Sequence, residues 1–271
     1  VSGAPPRGRR GGRLRTMLGV YYAYMLAYRA ELILWALANS LPFILMGLWM
    51  EAGASGHFGY TPVEFARYFL TVFLVRQLTV VWVVWDFESL VVKGGLSPRL
   101  LQPLDPVWRH VVGHVAERGA RGPFTLALVA LFFALYPEAF WVPSPGRAAL
   151  FLLLVVASFA ARFVMQYTFA MLAFWTERAS AINQLWYMFY LFLSGMIAPL
   201  DLFPPAARDV ALWTPFPYLV ELPVTCLTGR PLSASYLAQS ALVLGTWTLA
   251  FALLNRLLWR AGLRRYSGMG A

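Results

Sequence analysis

Residues Gly94–His110 read GGLSPRLLQPLDPVWRH. The segment separates two strongly apolar runs, Val63–Trp85 before it and Pro123–Val142 after it. Gly94–Gly95 is expected to stop the preceding helix. Ser97–Pro98 reads as an N-cap followed by proline at the first helical position. Pro103 and Pro106 keep any helix there short, and a second short helix is expected from Pro106 to about Arg118. The outcome is a kinked amphipathic elbow within a loop spanning 86–122. Leu100, Leu101, Leu104, Val107 and Trp108 form its apolar centre, and Arg99, Asp105 and Arg109 its polar surround. That is the anatomy of a protein-docking patch; an elbow that only packs under its own bundle is the alternative.

Composition sets the solvent around this elbow. The chain has 271 residues, 60% of them hydrophobic and 13% charged, with mean hydropathy +0.62. Soluble domains carry about a quarter charged residues, so the expectation is an all-α polytopic membrane protein. A spanning helix needs ~20 mostly apolar residues. Six candidates meet that: about Leu32–Met50, Val63–Trp85, Pro123–Val142, Ala148–Ala173, Ile182–Ala198 and Tyr236–Trp259. These make a six-helix transmembrane domain over 31–259, between a tail with an interfacial helix (1–30) and a C-terminal tail (260–271).

Basic residues orient the spans. With the N-terminus inside, sixteen Lys and Arg lie in the tails, at the inner end of the last span (Arg256) and in the 86–122 and fourth-to-fifth loops. Three (Arg147, Arg208, Arg230) lie outside, and three (Arg67, Arg76, Arg162) fall within spans. The bias predicts cytoplasmic N- and C-termini. Trp49, Trp82, Trp85, Trp141, Trp213 and Trp259 fall near span ends, where indoles favour the headgroup region, although eleven tryptophans would place some there by abundance. The first fifteen residues carry five arginines and read as a cytoplasmic tail rather than a signal peptide. Leu14, Met17, Leu18, Tyr21, Met25 and Tyr28 then recur at three- and four-residue steps. They fit either a helix in the inner interface or a buried extension of the first span.

The net charge of +10 does not indicate nucleic acid, because the aromatics sit inside the apolar runs. The lone Cys226 permits no intrachain disulfide. His110 and His114, four apart with Glu117 nearby, are read as a solvated loop face rather than a metal site.

A second unusual stretch, LSGMIAPLDLFPPAARDVALWTPFPYLVELPVTCLTGRP, runs from Leu193 to Pro231. It is apolar yet broken by Pro199, Pro204, Pro205, Pro215, Pro217 and Pro223. Broken helix at membrane depth persists only inside protein or along a cavity. The stretch, bounded at 199–235, is therefore expected as an outer re-entrant hairpin of two half-helices, with Asp201, Asp209 and Glu221 at its wet edges. A cap lying on the surface is the alternative. Within the spans, Arg76 and Gln77 lie mid-way along the second, and Arg162 and Gln166 share one face of the fourth. A mid-membrane arginine costs at least ~2.5 kcal/mol, so each should face protein or water. They are pathway candidates that meet an anionic group on a cargo, or else interhelical hydrogen-bonding groups.

The motifs GGLSPRLLQPLDP and LSGMIAPLDLFP…TPFPYLVELP, in this order and at these positions, resemble the ABC-2 type permeases of ATP-binding-cassette transporters (the type V exporter fold). The nearer likeness is to a branch of bacterial permeases found in pairs beside an ATPase. The resemblance implies that Ser97–Arg109 holds a coupling helix entering a cleft on an ABC ATPase. It also implies that Pro199–Pro223 closes the outer end of the pathway, and that two permease chains, identical or paralogous, form the conduit. The chain shows no G-x-x-x-x-G-K-[ST] loop. ATP and Mg would accordingly be bound by the partner ATPase, this chain itself holding no cofactor, no metal and no catalytic residue. The competing readings are an intramembrane enzyme, which would need convergent acids or histidines in the spans, and a secondary transporter, which would need internal repeats.

Overall fold

The computed structural model describes residues 10–27, 34 and 41–266. The described residues are helical, and strands are absent among them. Helix α1 is Arg10–Ala27, α2 Leu41–Ala54, α3 Pro62–Thr79, α4 Val83–Val92, α5 Ser97–Leu100, α6 Pro106–Leu135, α7 Pro145–Ala170 and α8 Ala179–Leu193. Three short helices follow, α9 Pro205–Leu212, α10 Phe216–Leu219 and α11 Glu221–Thr228, and then α12 Ala234–Arg265. Among the described residues, four stretches are long and apolar enough to cross a membrane: Pro62–Val92, Pro106–Leu135, Pro145–Phe174 and Ala234–Arg265. The first expected span is only partly visible, as α2, because 32–33 and 35–40 lie outside the described residues. The same holds for Tyr28 in the interfacial pattern and for the tail ends 1–9 and 267–271.

Helix starts follow local chemistry. Thr61 opens α3 with a capping box: its hydroxyl accepts the Glu64 N–H at 3.2 Å, and the Glu64 carboxylate accepts the Thr61 N–H at 2.8 Å. Ser144 and Ser233 cap α7 and α12 through the N–H groups of Arg147 and Tyr236. Helix α3 is the central element. Phe65, Phe69, Leu70, Val72 and Phe73 along it are fully buried, and α2, α6, α7 and α11 pack around it. The outward faces are apolar, as with Leu152 and Val156 on α7 and Leu249 and Leu257 on α12. Such faces are stable against lipid and costly against water.

The structure corrects the sequence expectation in several places. The second span is not one helix: the β-branched run Val80, Val81, Val83, Val84, poor in helix propensity, surrounds a break between α3 and α4. The third span does not begin at Pro123. The short helix expected from Pro106 to Arg118 and the third span are one 30-residue helix, α6, with Pro123 inside it and its end at Leu135. Proline costs that helix a single hydrogen bond at the Gly119 carbonyl, and the helix continues through it. The elbow thereby shrinks to Lys93–Asp105. Ser97 is not an N-cap: Leu96 holds that position and α5 has no side-chain cap. Asp105 is the true cap of this region, accepting the Val107 N–H at 3.0 Å with Pro106 at the first helical position. His110 and His114 do not lie on a solvated loop face; they are buried on α6.

Helix α1 leans along α6, with Tyr21 against Gly113 and Tyr22 against Gly119, positions where α6 offers no Cβ. Helix α12 continues to Arg265, beyond the expected end of the last span at Trp259.

Candidate functional site

The elbow has a fixed base and an exposed tip. Gly94, at φ +71, turns the chain out of α4. Leu96 is fully buried in a cluster with Val83, Phe87, Met171 and Phe174. Ser97 donates its hydroxyl to Tyr266 Oη at 3.3 Å, tying the elbow to the end of α12. Beyond this base, Leu101 is 88% exposed, Trp108 50% and Leu100 37%. Leu104, Arg99 and Arg109 are half-buried and Asp105 is exposed; Arg109 donates to Gln102 Oε1. Leu100, Leu101 and Trp108 of the expected apolar centre are thus exposed, while the anchor, Leu96, was not singled out.

Behind the elbow lies the α3–α4 break. In a continuous helix the Trp82 N–H would bond the Leu78 carbonyl. Here both halves of that bond are taken by α6. Trp82 N–H donates to His114 Nε2 at 2.8 Å, and Arg118 Nε donates to the Leu78 carbonyl. Arg118 Nη2 also donates to the Val80 carbonyl at 2.7 Å, and its guanidinium lies 3.9 Å from the Phe159 ring centre. Because Nε2 of His114 accepts, Nδ1 carries the proton and donates to the His110 carbonyl at 2.7 Å. His110, His114 and Arg118 recur every four residues on one helix face. That spacing was visible in the sequence, but its purpose needs the break to exist. Glu117, considered as a neighbour of the histidines, instead pairs with Arg121.

The intramembrane candidates meet α8. Arg162, 5% exposed, donates Nη1 to Tyr190 Oη at 3.1 Å, its charge 4.5 Å from the centre of that ring. Arg76 donates to Tyr187 Oη at 3.4 Å. Gln77 and Gln166 are buried on α3 and α7. The two tyrosines, three apart on α8, were not anticipated; they carry the polar contact that the arginines need.

The 199–235 stretch forms a 3-10 turn at Leu200–Leu202 followed by α9, α10 and α11, three short helices rather than two. Pro199, Pro215 and Pro217 are buried, as is every residue from Phe216 to Val224, while Pro204 is exposed. Asp201 does sit at the surface, paired with Arg208 at 3.2 Å and Arg230 at 3.4 Å. Glu221 departs from the expectation: it is not at a wet edge but 7% exposed. Its Oε1 accepts the Leu200 N–H at 3.1 Å, and burial raises its pKa. The Glu221 N–H in turn donates to the Ser194 carbonyl at 3.1 Å. Tyr68 on α3 donates to the Gly195 carbonyl at 2.6 Å. The stretch is thus bolted to the central helix through the Ser194–Gly195 turn.

No curated protein matches this chain. A family model described as ABC-2 family transporter protein matches residues 34–270, which takes in the break, the elbow, the tyrosine-capped arginines and the proline-rich stretch together: the chain belongs to the ABC-2 family of transporter proteins.

Proposed function

We propose that this multi-pass membrane protein is the permease subunit of an ATP-binding-cassette exporter, driven by a separate ABC ATPase that grips the Lys93–Asp105 elbow. The observation that carries the reading is the elbow itself. An apolar tip, Leu101 at 88% exposure with Trp108 and Leu100 beside it, stands on a base tied to α4 and α12. Exposed leucine and tryptophan on a rigid mount are suited to a cleft on a partner. In this reading the chain has six spans with α2 and α8 among them, both termini are cytoplasmic, and two permease chains form the conduit. The proline-rich stretch is an outer re-entrant hairpin, a reading supported by its burial against α3 and α7. Export as the direction, and the pairing with a second chain, rest on the family resemblance.

The test is co-purification of an ABC-type ATPase with the tagged chain. Leu101→Asp places a charge in the docking cleft and is expected to cut recovery of the ATPase at least tenfold, with the membrane yield of the permease unchanged. Equal recovery would remove the elbow as the dock. Arg76, Gln77, Arg162 and Gln166 are the polar layer beside the pathway in the same proposal, with Tyr187 and Tyr190 holding the two guanidiniums in place. Arg76→Leu is expected to lower transport at least tenfold while ATPase recovery stays normal; unaltered transport takes Arg76 out of the mechanism.

A further inference from the structure

A cavity of about 1070 Å³ opens between α1, the α4–α5 region and the first half of α6. Four cations line it, Lys93, Arg99, Arg109 and Arg121, against two acids, Asp86 and Glu117. Two of its lining groups are buried and incompletely bonded. Arg121 is 3% exposed; Nη2 pairs with Glu117, but Nε and Nη1 have no partner among the described residues. His110 is 6% exposed and its Nε2 likewise has none. Buried donors left unbonded cost about 1–3 kcal/mol each, so the two open N–H groups of Arg121 mark a place where acceptor oxygens belong. Each open guanidinium N–H can give a phosphate oxygen a charge-assisted hydrogen bond.

The rest of the lining is aromatic and apolar: Tyr21 and Tyr24 from α1, and Trp82, Trp85 and Leu90 from the other side. Depth adds a second argument. Helix α3 has 18 residues, about 27 Å at 1.5 Å per residue, nearly the ~30 Å of a bilayer core. Trp82, just beyond its end, therefore sits at headgroup level, and it lines this cavity.

We propose that this cavity binds the phosphate of an anionic membrane lipid, with the buried Arg121 supplying the inner hydrogen bonds and Lys93, Arg99 and Arg109 the surrounding charge. The excess of cations disfavours a zwitterionic headgroup, whose choline charge would meet them. The site stands independently of the ATPase and of the transport reading, since binding alone is measured.

The full chain in a neutral detergent would be titrated with phosphatidylglycerol, phosphatidylcholine or inorganic phosphate, reading bound lipid by native mass spectrometry and the melting temperature in parallel. Phosphatidylglycerol is expected to bind at least tenfold tighter than phosphatidylcholine and to raise the melting temperature. Arg121→Gln should weaken phosphatidylglycerol about tenfold. Because that change also frees Glu117, a second variant, Lys93→Ala with Arg109→Ala, tests the surrounding charge without touching the buried pair, and a threefold or greater loss is expected. Equal binding of the two lipids, or titrations of both variants that overlay the parent, would overturn the site and leave its buried donors to water. Inorganic phosphate matching phosphatidylglycerol in affinity would overturn the lipid as the source.

Discussion

Arg118→Leu is expected to lower the stability of the protein by about 2–6 kcal/mol, the cost of stripping two carbonyls at the break of their partner at about 1–3 kcal/mol each. The size follows from what the guanidinium does. It donates to the carbonyls of Leu78 and Val80 on the far side of the α3–α4 break and to that of His114 on its own helix. Leucine fills much of the volume but donates nothing, so two carbonyls in the break lose their partners at about 1–3 kcal/mol each. The contact with Phe159 loses its charge as well. Arg118→Lys should recover less than half, because one ammonium cannot meet carbonyls on two helices as a planar fork does. Thermal unfolding in detergent measures the loss, and hydrogen exchange at the Trp82 amide localises it. Exchange there should quicken because His114, whose ring is fixed partly by the same helix turn, loses its bonded neighbour. A melt within 0.5 kcal/mol of the parent would mean that the break is held by packing alone.

What the sequence disclosed divides along physical lines. Spans four and six were legible because long apolar runs with clean ends leave few alternatives: Ala148–Ala173 and Tyr236–Trp259 fall within Pro145–Phe174 and Ala234–Arg265. The α3–α4 break was not legible. Thr79–Trp85 is apolar throughout, and hydropathy alone reads such a run as continuous helix; the β-branched valines weaken the helix, but the break survives only because His114 and Arg118 arrive from α6. The third span was misplaced for the opposite reason. Pro123 and the charges of Arg118 and Arg121 look like a loop boundary, yet Arg118 serves the break and Arg121 sits buried with one nitrogen paired to Glu117, so the helix runs on. Of the site residues, the exposed leucines of the elbow could be picked out because apolar side chains among prolines are conspicuous. Tyr187 and Tyr190 could not, since nothing in an aromatic-rich helix marks which hydroxyls face buried arginines.

The second large effect is expected at Gly195. Gly195→Ala should destabilise the protein by about 2–5 kcal/mol and loosen the entire proline-rich stretch. Two costs act together there. The residue has φ +83, a backbone conformation that costs a non-glycine residue about 1–2 kcal/mol. An added Cβ would also lie 2.8 Å from Tyr68 Oη and 2.9 Å from Glu221 Cβ. Overpacking of this kind typically costs 1–3 kcal/mol, and here the crowded atoms belong to groups that cannot retreat. Tyr68 is held by its bond to the Gly195 carbonyl, and Glu221 by the Leu200 N–H and the Ser194 carbonyl. Relief at Tyr68 therefore breaks the hydrogen bond that joins the stretch to α3, and relief at Glu221 breaks those that tie the stretch to its own turn. Tyr68→Phe separates the two costs: it removes the hydroxyl that the new methyl would strike, but also the bond it makes. The double variant should then be less destabilised than the sum of the two single changes, because the clash is shared between them. Full additivity would assign the effect to backbone strain and the Glu221 contact, with nothing from the Tyr68 hydroxyl. A Gly195→Ala protein as stable as the parent would show that the Ser194–Gly195 turn does not fasten the stretch to the central helix.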